Sequence, residues 1–325
     1  MKRRIFIQRT ALTLTALQLL TAGKPSLAQS YPAKPIQLYV AFAPGGAGDI
    51  VARLVARKMA ESMGQPIVIE NRPSPVVAPA TVARARPDGY TMMIAGSGTA
   101  LTSALFKSLP YDLLGDFIHV STLASFDLSL IGGVQAGFNS VADVIAFAKA
   151  NPGKLNIGTV RIGSTQHLTA ELFKSMAGIE AVVVPYKTTS EVISALRAKD
   201  VQVAMEILPP ILGQITGKNV KALAVTSASR FPGLPDVPTL AESGVAGFEA
   251  ASWNGISLPA NTPQAIVNRL TREIDAAVSS PEVQKELRQA GMVAKASTPE
   301  QMSLRMKSDV EKWKSVIEKA GIPRQ

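Results

Sequence analysis

The chain has 325 residues and a formal net charge of +10, with two histidines and no cysteine. This length favours two domains, and 46% hydrophobic against 18% charged residues excludes a disordered protein. The missing cysteines exclude disulfide scaffolds, cysteine-type zinc sites, iron–sulfur clusters and thiol catalysis. With His119 and His167 alone, a multi-histidine metal site is not expected either. We therefore predict neither a metal nor a cofactor.

Residues 1–28 are typical of a secretory signal peptide. An apolar run, Ala11 to Ala22, is too short to span a bilayer, and Ser26-Leu27-Ala28 fits a cleavage site near Ala28. Arg3-Arg4 also resembles a twin-arginine leader, so either export route remains open. About half of the net charge lies in this segment, on Lys2, Arg3, Arg4, Arg9 and Lys24. The remaining charge is mild and gives no reason to expect a nucleic-acid partner.

Strands and helices alternate along the rest of the chain. Apolar runs of strand length end in turn residues, and helical periodicity follows several of them. This alternation predicts an α/β fold with a largely parallel sheet, in two units that share a non-contiguous boundary. The predicted strands are Ile36–Phe42, Pro66–Glu70, Tyr90–Ala95, Leu155–Val160, Val182–Val184, Val201–Met205 and Lys221–Thr226. Helices are predicted after Asp49, from Ser140 to Asn151, after Ser164, over Glu191–Lys199, and over most of the chain beyond Thr262.

Four loops follow predicted strands and open predicted helices. Backbone N–H groups are unpaired there, glycine lets a ligand approach closely, and hydroxyls add neutral donors. Such a set suits a carboxylate or another small anion, although each loop alone is also compatible with a plain chain reversal. The loops are Pro44–Asp49, Gly96–Thr99, Gly158–Ser164 and Pro185–Ser190.

No catalytic set emerges from the motifs. The chain lacks G-x-G-x-x-G at Gly45, a phosphate-binding G-x-x-x-x-G-K-[ST] and the G-x-S-x-G of a nucleophile elbow. His119, inside an apolar segment, is predicted to be a core or edge histidine. His167 follows Ser164 by one turn, so a secreted α/β hydrolase or esterase using Ser97 or Ser164 with His167 stays as an alternative.

Three further residues carry open interpretations. Lys187 could pair with an anionic ligand or be an ordinary solvated lysine. Trp253 could be packed in the core or form a wall of a cleft. Asp49 is predicted to cap its helix or to brace the glycine loop, because an acid facing an anionic ligand would repel it.

Motifs along nearly the whole mature chain resemble the solute receptors of tripartite tricarboxylate transporters, the Bug family. They include Tyr31–Ile36, Pro44-Gly45-Gly46 with Asp49 and Arg53, Val68–Pro73, Pro87–Thr91 and Leu109–Asp112. They continue with Gly163-Ser164 and His167, Pro185-Tyr186-Lys187, Ala222–Thr226, Pro235–Thr239 with Glu242 and Gly244, and Trp253 with Gly255. The motifs occur in order, which makes the resemblance specific.

The resemblance implies a periplasmic receptor of the two-lobed, type II (Venus-flytrap) kind, with a ligand cleft between lobes and no catalytic residue. Lobe 1 would comprise 29–130 and 256–325, and lobe 2 would comprise 131–255. A monomer would capture a small carboxylate and deliver it to a membrane permease of a large and a small subunit; a sensor for a membrane signalling partner is an alternative. The implied ligand-binding residues are Phe42, Ala43, Gly45, Gly46, Ser97, Gly98, Thr99, Thr159, Gly163, Ser164, His167, Tyr186, Lys187 and Thr188, with Asp49 and Trp253 as structural neighbours.

The chain departs from the family pattern in three places. Ser74–Val77 replaces glycines, Thr188 stands where glycine is common, and Lys199–Val203 followed by Met205-Glu206 replaces a Gly-Gly-x-Val-Asp pattern. These departures bear on the ligand rather than on the fold.

Overall fold

The computed structural model of the protein describes residues 31–42, 44–72 and 74–325. The elements below belong to one compact unit, Lys34–Gln325. The predicted signal peptide and the predicted ligand residue Ala43 lie outside the described residues.

The strands form one sheet in the order β2-β1-β3-β9-β4-β7-β5-β6, with β8 and β10 also paired to β4. Several match the predicted apolar runs closely. The strands are β1 (Ile36–Val40), β2 (Ile67–Asn71), β3 (Thr91–Gly96), β4 (Phe117–Gly133), β5 (Leu155–Val160), β6 (Ala181–Tyr186), β7 (Val203–Ile207), β8 (Val220–Val225), β9 (Ala251–Pro259) and β10 (Val293–Ala294).

The helices cover the sheet and begin with recognisable caps. Ser140, Ser164, Thr188, Ser280 and Thr298 each accept a hydrogen bond from a backbone N–H of the first helical turn. The helices are α1 (Ala47–Met63), α2 (Val77–Ala83), α3 (Ser97–Leu105), α4 (Val141–Ala150), α5 (Thr165–Ala177), α6 (Thr189–Ala198), α7 (Leu208–Thr216), α8 (Gln264–Ser279), α9 (Pro281–Gln289) and α10 (Pro299–Lys319).

Strand β4 belongs to both parts of the sheet, because it changes its pairing partners in its middle. Residues Phe117–Asp127 pair with β9, whereas Leu128 begins the pairing with β7. We call β1, β2, β3, β9, β10 and residues 117–127 the first half-sheet. The second half-sheet is β5, β6, β7, β8 and residues 128–133. One strand of 17 residues therefore holds the two half-sheets together.

The prediction of a largely parallel sheet was wrong. Among the described strands, parallel pairs join β1 to β2 and β3, and β5 to β6 and β7. The pairs that join these groups through β4 and β9 are antiparallel. Both connecting strands escaped prediction, because their polar residues interrupt the apolar pattern although the strands are almost fully buried.

The chain passes between the half-sheets twice, once within β4 and once between β8 and β9. Thr226 connects these two crossings by hydrogen bonds. Its backbone N–H donates to the Leu128 carbonyl at 3.0 Å, and its hydroxyl accepts from the Leu128 N–H at 3.0 Å. Its carbonyl accepts from the Ala250 N–H at 2.8 Å, just before β9 begins. Thr226 is fully buried, so these bonds are shielded from competing water.

The apolar core does not stop at the boundary between the half-sheets. Trp313, Val316 and Ile317 near the end of α10 share one buried cluster with Leu128 and Leu130 of the second half-sheet. Earlier residues of the same helix, Met302 and Met306 among them, pack in the core of the first half-sheet. Helix α10 therefore contributes to both cores.

We predict that Gly96→Ala destabilises the protein by about 1–3 kcal/mol or more, the range for overpacked sites. A Cβ atom on Gly96 would lie 2.0 Å from the Trp253 carbonyl oxygen of β9, and backbone cannot move aside cheaply. Urea unfolding monitored by circular dichroism measures the loss. Gly98→Ala is the matched control, because nothing lies within 4 Å of the Cβ position there; equal stabilities of the two variants would contradict the prediction.

Candidate functional site

The first predicted ligand loop is held in place by Asp49, the third residue of α1. Its Oδ2 accepts hydrogen bonds from the Gly45 N–H at 2.8 Å and from Arg53 Nε at 2.9 Å. Its Oδ1 accepts from Asn71 Nδ2 at 2.8 Å. Asp49 is almost fully buried. Burial alone would raise its pKa, but the bonds from Arg53, Asn71 and Gly45 together hold the pKa below its usual value.

The left-handed conformation at Gly45, with φ of 78°, explains the glycine in this loop. Gly46 is the N-cap residue of α1 and receives no side-chain cap. Phe42 is tied to the same assembly, because its carbonyl accepts from Asn71 Nδ2 at 3.0 Å. Hydrogen bonds that join the loop to Asp49 and Asn71 thus hold it in place, while Gly45 is exposed to solvent.

The second predicted loop opens α3 directly after β3. The Ser97 hydroxyl is buried against the Ser252 hydroxyl at 2.6 Å and accepts from the Trp253 N–H at 3.2 Å. The Gly96 N–H donates to Thr99 Oγ1 at 3.2 Å. Gly98 is exposed. Ser97 therefore anchors the start of α3 to β9. Gly98 and Thr99 are the more solvent-accessible residues of the first helical turn.

The third predicted loop joins β5 to α5. Gly163 is left-handed with φ of 74°, and a side chain there would strike Leu105 of α3. The Ser164 hydroxyl donates to the Val160 carbonyl at 2.9 Å and accepts from the His167 N–H at 3.1 Å. Thr159 is fully buried, and its hydroxyl has no hydrogen-bond partner among the described residues.

The fourth predicted loop joins β6 to α6 and lies beside the third. β5 and β6 are parallel neighbours, and the Arg161 N–H donates to the Tyr186 carbonyl at 2.9 Å. Thr188 caps α6 through its hydroxyl, which accepts from the Glu191 N–H at 3.2 Å. Lys187 is exposed, and its backbone N–H donates to Glu191 Oε2 at 3.0 Å. The structure thus brings the third and fourth loops together.

Glu206 lies between these two loops, and from the sequence it was recognised only as part of a departure from the family pattern. Its Oε2 accepts from Gln166 Nε2 of α5 at 3.3 Å and from the Thr189 hydroxyl of α6 at 3.2 Å. The side chain is fully buried, and burial raises its pKa to about 7 against the smaller lowering effect of those two bonds. The only available signal was a single acid in the otherwise apolar strand β7.

The two histidines and Trp253 belong to the packed interior. His119 is buried with Nδ1 2.8 Å from the Ser257 hydroxyl, in agreement with the predicted core histidine. Trp253 is fully buried, donates from Nε1 to Asp309 Oδ2 at 2.7 Å, and lies 4.8 Å from the Arg305 guanidinium. Of the two interpretations of Trp253, the structure supports the core residue.

The hydrolase constellation is not assembled. The Ser97 hydroxyl is engaged with Ser252, and the Ser164 hydroxyl donates to the Val160 carbonyl. The Nδ1 atom of His167 is buried without a hydrogen-bond partner among the described residues, and burial lowers its pKa. A serine activated by His167 would need a hydrogen bond between the two side chains.

Across residues 31–42, 44–72 and 74–325, no cluster of three or more metal-ligating side chains could hold an ion. Within that same part of the chain, no helix combines the length and apolar character that a bilayer crossing requires.

The family described as "Tripartite tricarboxylate transporter family receptor" matches residues 51–322. The chain belongs to this family. The receptor is 33% identical over 316 residues to Protein BugT of Bordetella pertussis, covering 95% of this chain and 97% of BugT. The predicted resemblance is confirmed.

Two solved structures have a similar fold. The R. palustris protein Rpa4515, solved with adipate, has a TM-score of 0.78 at 34% identity and covers 90% of the receptor and 99% of Rpa4515. MatC of Rhodopseudomonas palustris, solved with malate, has a TM-score of 0.73 at 28% identity and covers 88% of the receptor and 100% of MatC. The predicted α/β, two-lobed periplasmic binding protein fold is confirmed. Since the family consists of receptors for solutes, the receptor is not an enzyme.

We predict that Asp49→Asn destabilises the receptor by about 1–3 kcal/mol, because the amide offers one acceptor oxygen to three donors. The pKa of Asp49 is lowered in the folded state, so its stabilising effect is present above the unfolded pKa and is lost as the pH falls through the folded value. Urea unfolding at neutral pH and near pH 3 measures this.

Asp143→Asn is the control for Asp49→Asn, since Asp143 is also the third residue of its helix but is exposed. A deficit for Asp49→Asn that is no larger than that of Asp143→Asn, or that grows on acidification, would contradict the assigned role.

We predict that Glu206→Gln stabilises the free receptor at pH 8 by about 1–3 kcal/mol and changes little at pH 4. The folded pKa is raised to about 7, so the unfolded chain releases its proton first and stability falls as the pH rises from about 4.5 to about 7. Glutamine removes this loss. Chemical unfolding at both pH values, with exposed Glu318→Gln as the control, tests it; a pH-independent effect of Glu206→Gln would refute it.

Proposed function

We propose that the receptor captures a small organic acid outside the cytoplasm and delivers it to a tripartite membrane permease. The observation that carries the proposal is the likeness, over nearly the whole chain, to Rpa4515 with adipate. MatC with malate supports the same ligand class. Adipate and malate are both dicarboxylates, which makes a dicarboxylate the first choice for this receptor.

The chemistry of the predicted loops fits a carboxylate. Helices α1, α3, α5 and α6 each begin at one of them, so their unpaired N–H groups and positive dipole ends lie at those loops. Hydroxyls of Thr99, Thr159 and Thr188 add neutral donors. Neutral donors hold an anion without a buried counter-charge, and such a site releases its cargo more readily than an ion pair would.

The proposal places the cleft between lobe 1, residues 29–130 and 256–325, and lobe 2, residues 131–255. The change of partners in β4 after Asp127 and the start of β9 at Ala251 lie a few residues from these boundaries and support them. Closure of the lobes would be driven by ligand contacts that only the closed state makes.

The membrane partner and the location complete the proposal. A permease of a large and a small subunit would accept the acid from the closed receptor. The receptor would be a periplasmic monomer, exported by residues 1–28 and cleaved near Ala28. The family membership supports a transporter partner, and the likeness to the periplasmic binding protein BugD, at 31% identity, supports the location.

We predict that thermal unfolding of the chain from Gln29 onward shifts upward by a few degrees with one or more carboxylic acids. An acid at 100 times its Kd stabilises by about 2.7 kcal/mol. The panel comprises adipate, malate, tricarboxylates, monocarboxylates, aromatic acids and amino acids, with nucleotides as controls. The absence of a shift with every acid, or shifts with nucleotides alone, would contradict the proposal.

We predict that Thr159→Val weakens binding of the acid about tenfold or more, the usual effect of losing a hydrogen bond to a charged group. The free protein should keep its stability, because a methyl group replaces a hydroxyl without a partner among the described residues. Isothermal titration calorimetry measures the affinity. Thr169→Val is the matched control: its hydroxyl is also fully buried and unpartnered, but it lies on α5 outside the predicted loops. Equal affinities of the two variants would remove Thr159 from the site.

A further inference from the structure

Glu206 is the fully buried acid at the ligand side of the second half-sheet. It is the fourth of the five residues of β7, and β7 runs parallel to β5, so its carboxyl end lies at the same edge as the loop that follows β5. Gln166 and Thr189, which contact it, are the second residue of α5 and the first of α6. Glu206 therefore sits at the junction of two predicted ligand loops.

The hydrogen bonds of Glu206 are one-sided. Oε2 accepts both side-chain bonds, from Gln166 and from Thr189. Oε1 is closed to solvent and has no hydrogen-bond partner among the described residues. A buried carboxyl oxygen without a partner is costly, and such a cost persists in a protein where a ligand or a bound water supplies the missing contact.

Within residues 31–42, 44–72 and 74–325, no charge compensates for this carboxylate. Burial is the largest cause of its raised pKa, the polar groups of Gln166, Thr189 and the Ile207 backbone act in the opposite direction, and no charged group is among the causes. On β4 the residue opposite Glu206 is Ser129, and α7 carries no titratable residue. Other titratable residues lie on β4, α5 and α6 or in the loops before those helices, close in sequence to the residues that contact or oppose Glu206. They are Asp127, Arg161, His167, Lys187 and Glu191.

We propose that Glu206 binds the ligand in its protonated form, donating a hydrogen bond from Oε1 to a ligand carboxylate either directly or through one water molecule. This inference rests on the proposed function. A solvent proton adds to the Glu206 carboxylate when the acid is captured, and the neutral carboxyl then donates to the ligand, which keeps its own charge. Capture is therefore coupled to the uptake of one proton.

The coupling follows from the chemistry of two acids in one dry site. Two carboxylates in contact cannot both stay ionised away from water, so the pair keeps one proton. A ligand anion next to Glu206 raises its pKa further. Glutamine at this position would donate at every pH, whereas glutamate makes the affinity depend on pH.

Calorimetry of the whole receptor with adipate and malate as separate probes tests this. Near pH 8 Glu206 is ionised in the free protein, and His167, whose pKa burial lowers, is neutral. Titrations in buffers of different ionisation enthalpy should reveal an uptake approaching one proton per bound acid. The affinity should fall by up to about tenfold per pH unit above pH 7. Glu206→Gln should abolish the uptake and flatten the pH profile while binding at pH 8 is kept or strengthened.

Asp127→Asn is the control, because Asp127 is also a buried acid with a raised pKa, about 6, but lies on β4 at the change of partners. It should retain the uptake. Proton uptake that survives in Glu206→Gln, or binding by the wild type without uptake, would overturn this inference and leave the proposed function standing. An affinity for either probe that rises with pH would mean that capture releases a proton instead of taking one up, which also overturns it. Failure of both probes to bind at any pH would count against the proposed function itself.

Discussion

The passage of β4 from one half-sheet to the other is the constraint on which the rest of the structure depends. A strand that pairs with β9 up to Asp127 and with β7 from Leu128 places both half-sheets on one backbone. Thr226 then joins the outgoing strand to the returning chain through Leu128 and Ala250. Because these bonds are buried, they hold the two passages of the chain between the half-sheets to each other.

The buried acids beside the predicted ligand loops of the two half-sheets differ in their electrostatics. Beside the first half-sheet, Asp49 is buried, and both of its carboxyl oxygens accept hydrogen bonds. Its charge therefore stabilises the Gly45 loop. On the second, Glu206 is buried with one oxygen unpartnered among the described residues. One acid has its pKa lowered by its donors and the other has its pKa raised by burial. The same residue chemistry thus provides a rigid support in one place and a proton-sensitive group in the other.

Hydrophobic periodicity, turn residues and helix caps predicted the strands and helices that depend mainly on neighbouring residues in the sequence. β5 is an apolar run between turns, and α4 begins after the capping residue Ser140; the sequence indicates both. β4 and β9 were missed because Ser121 and Asn254 look like surface residues until partners from distant parts of the chain bury them. The loops of the candidate site could be located from glycine and hydroxyl positions. The role of Glu206 could not, since it depends on Gln166 and Thr189 reaching it from two other elements.

The pairing of β9 between β3 and β4 also governs when the fold can be completed. Until Ala251–Pro259 has been synthesised, β3 lacks one neighbour, residues 117–127 lack another, and α10 has not yet supplied Trp313 to the second core. Folding therefore waits for contacts between the two ends of the sequence, which is a slow step by its topology. A nascent chain therefore cannot complete the first half-sheet until most of the sequence has been synthesised.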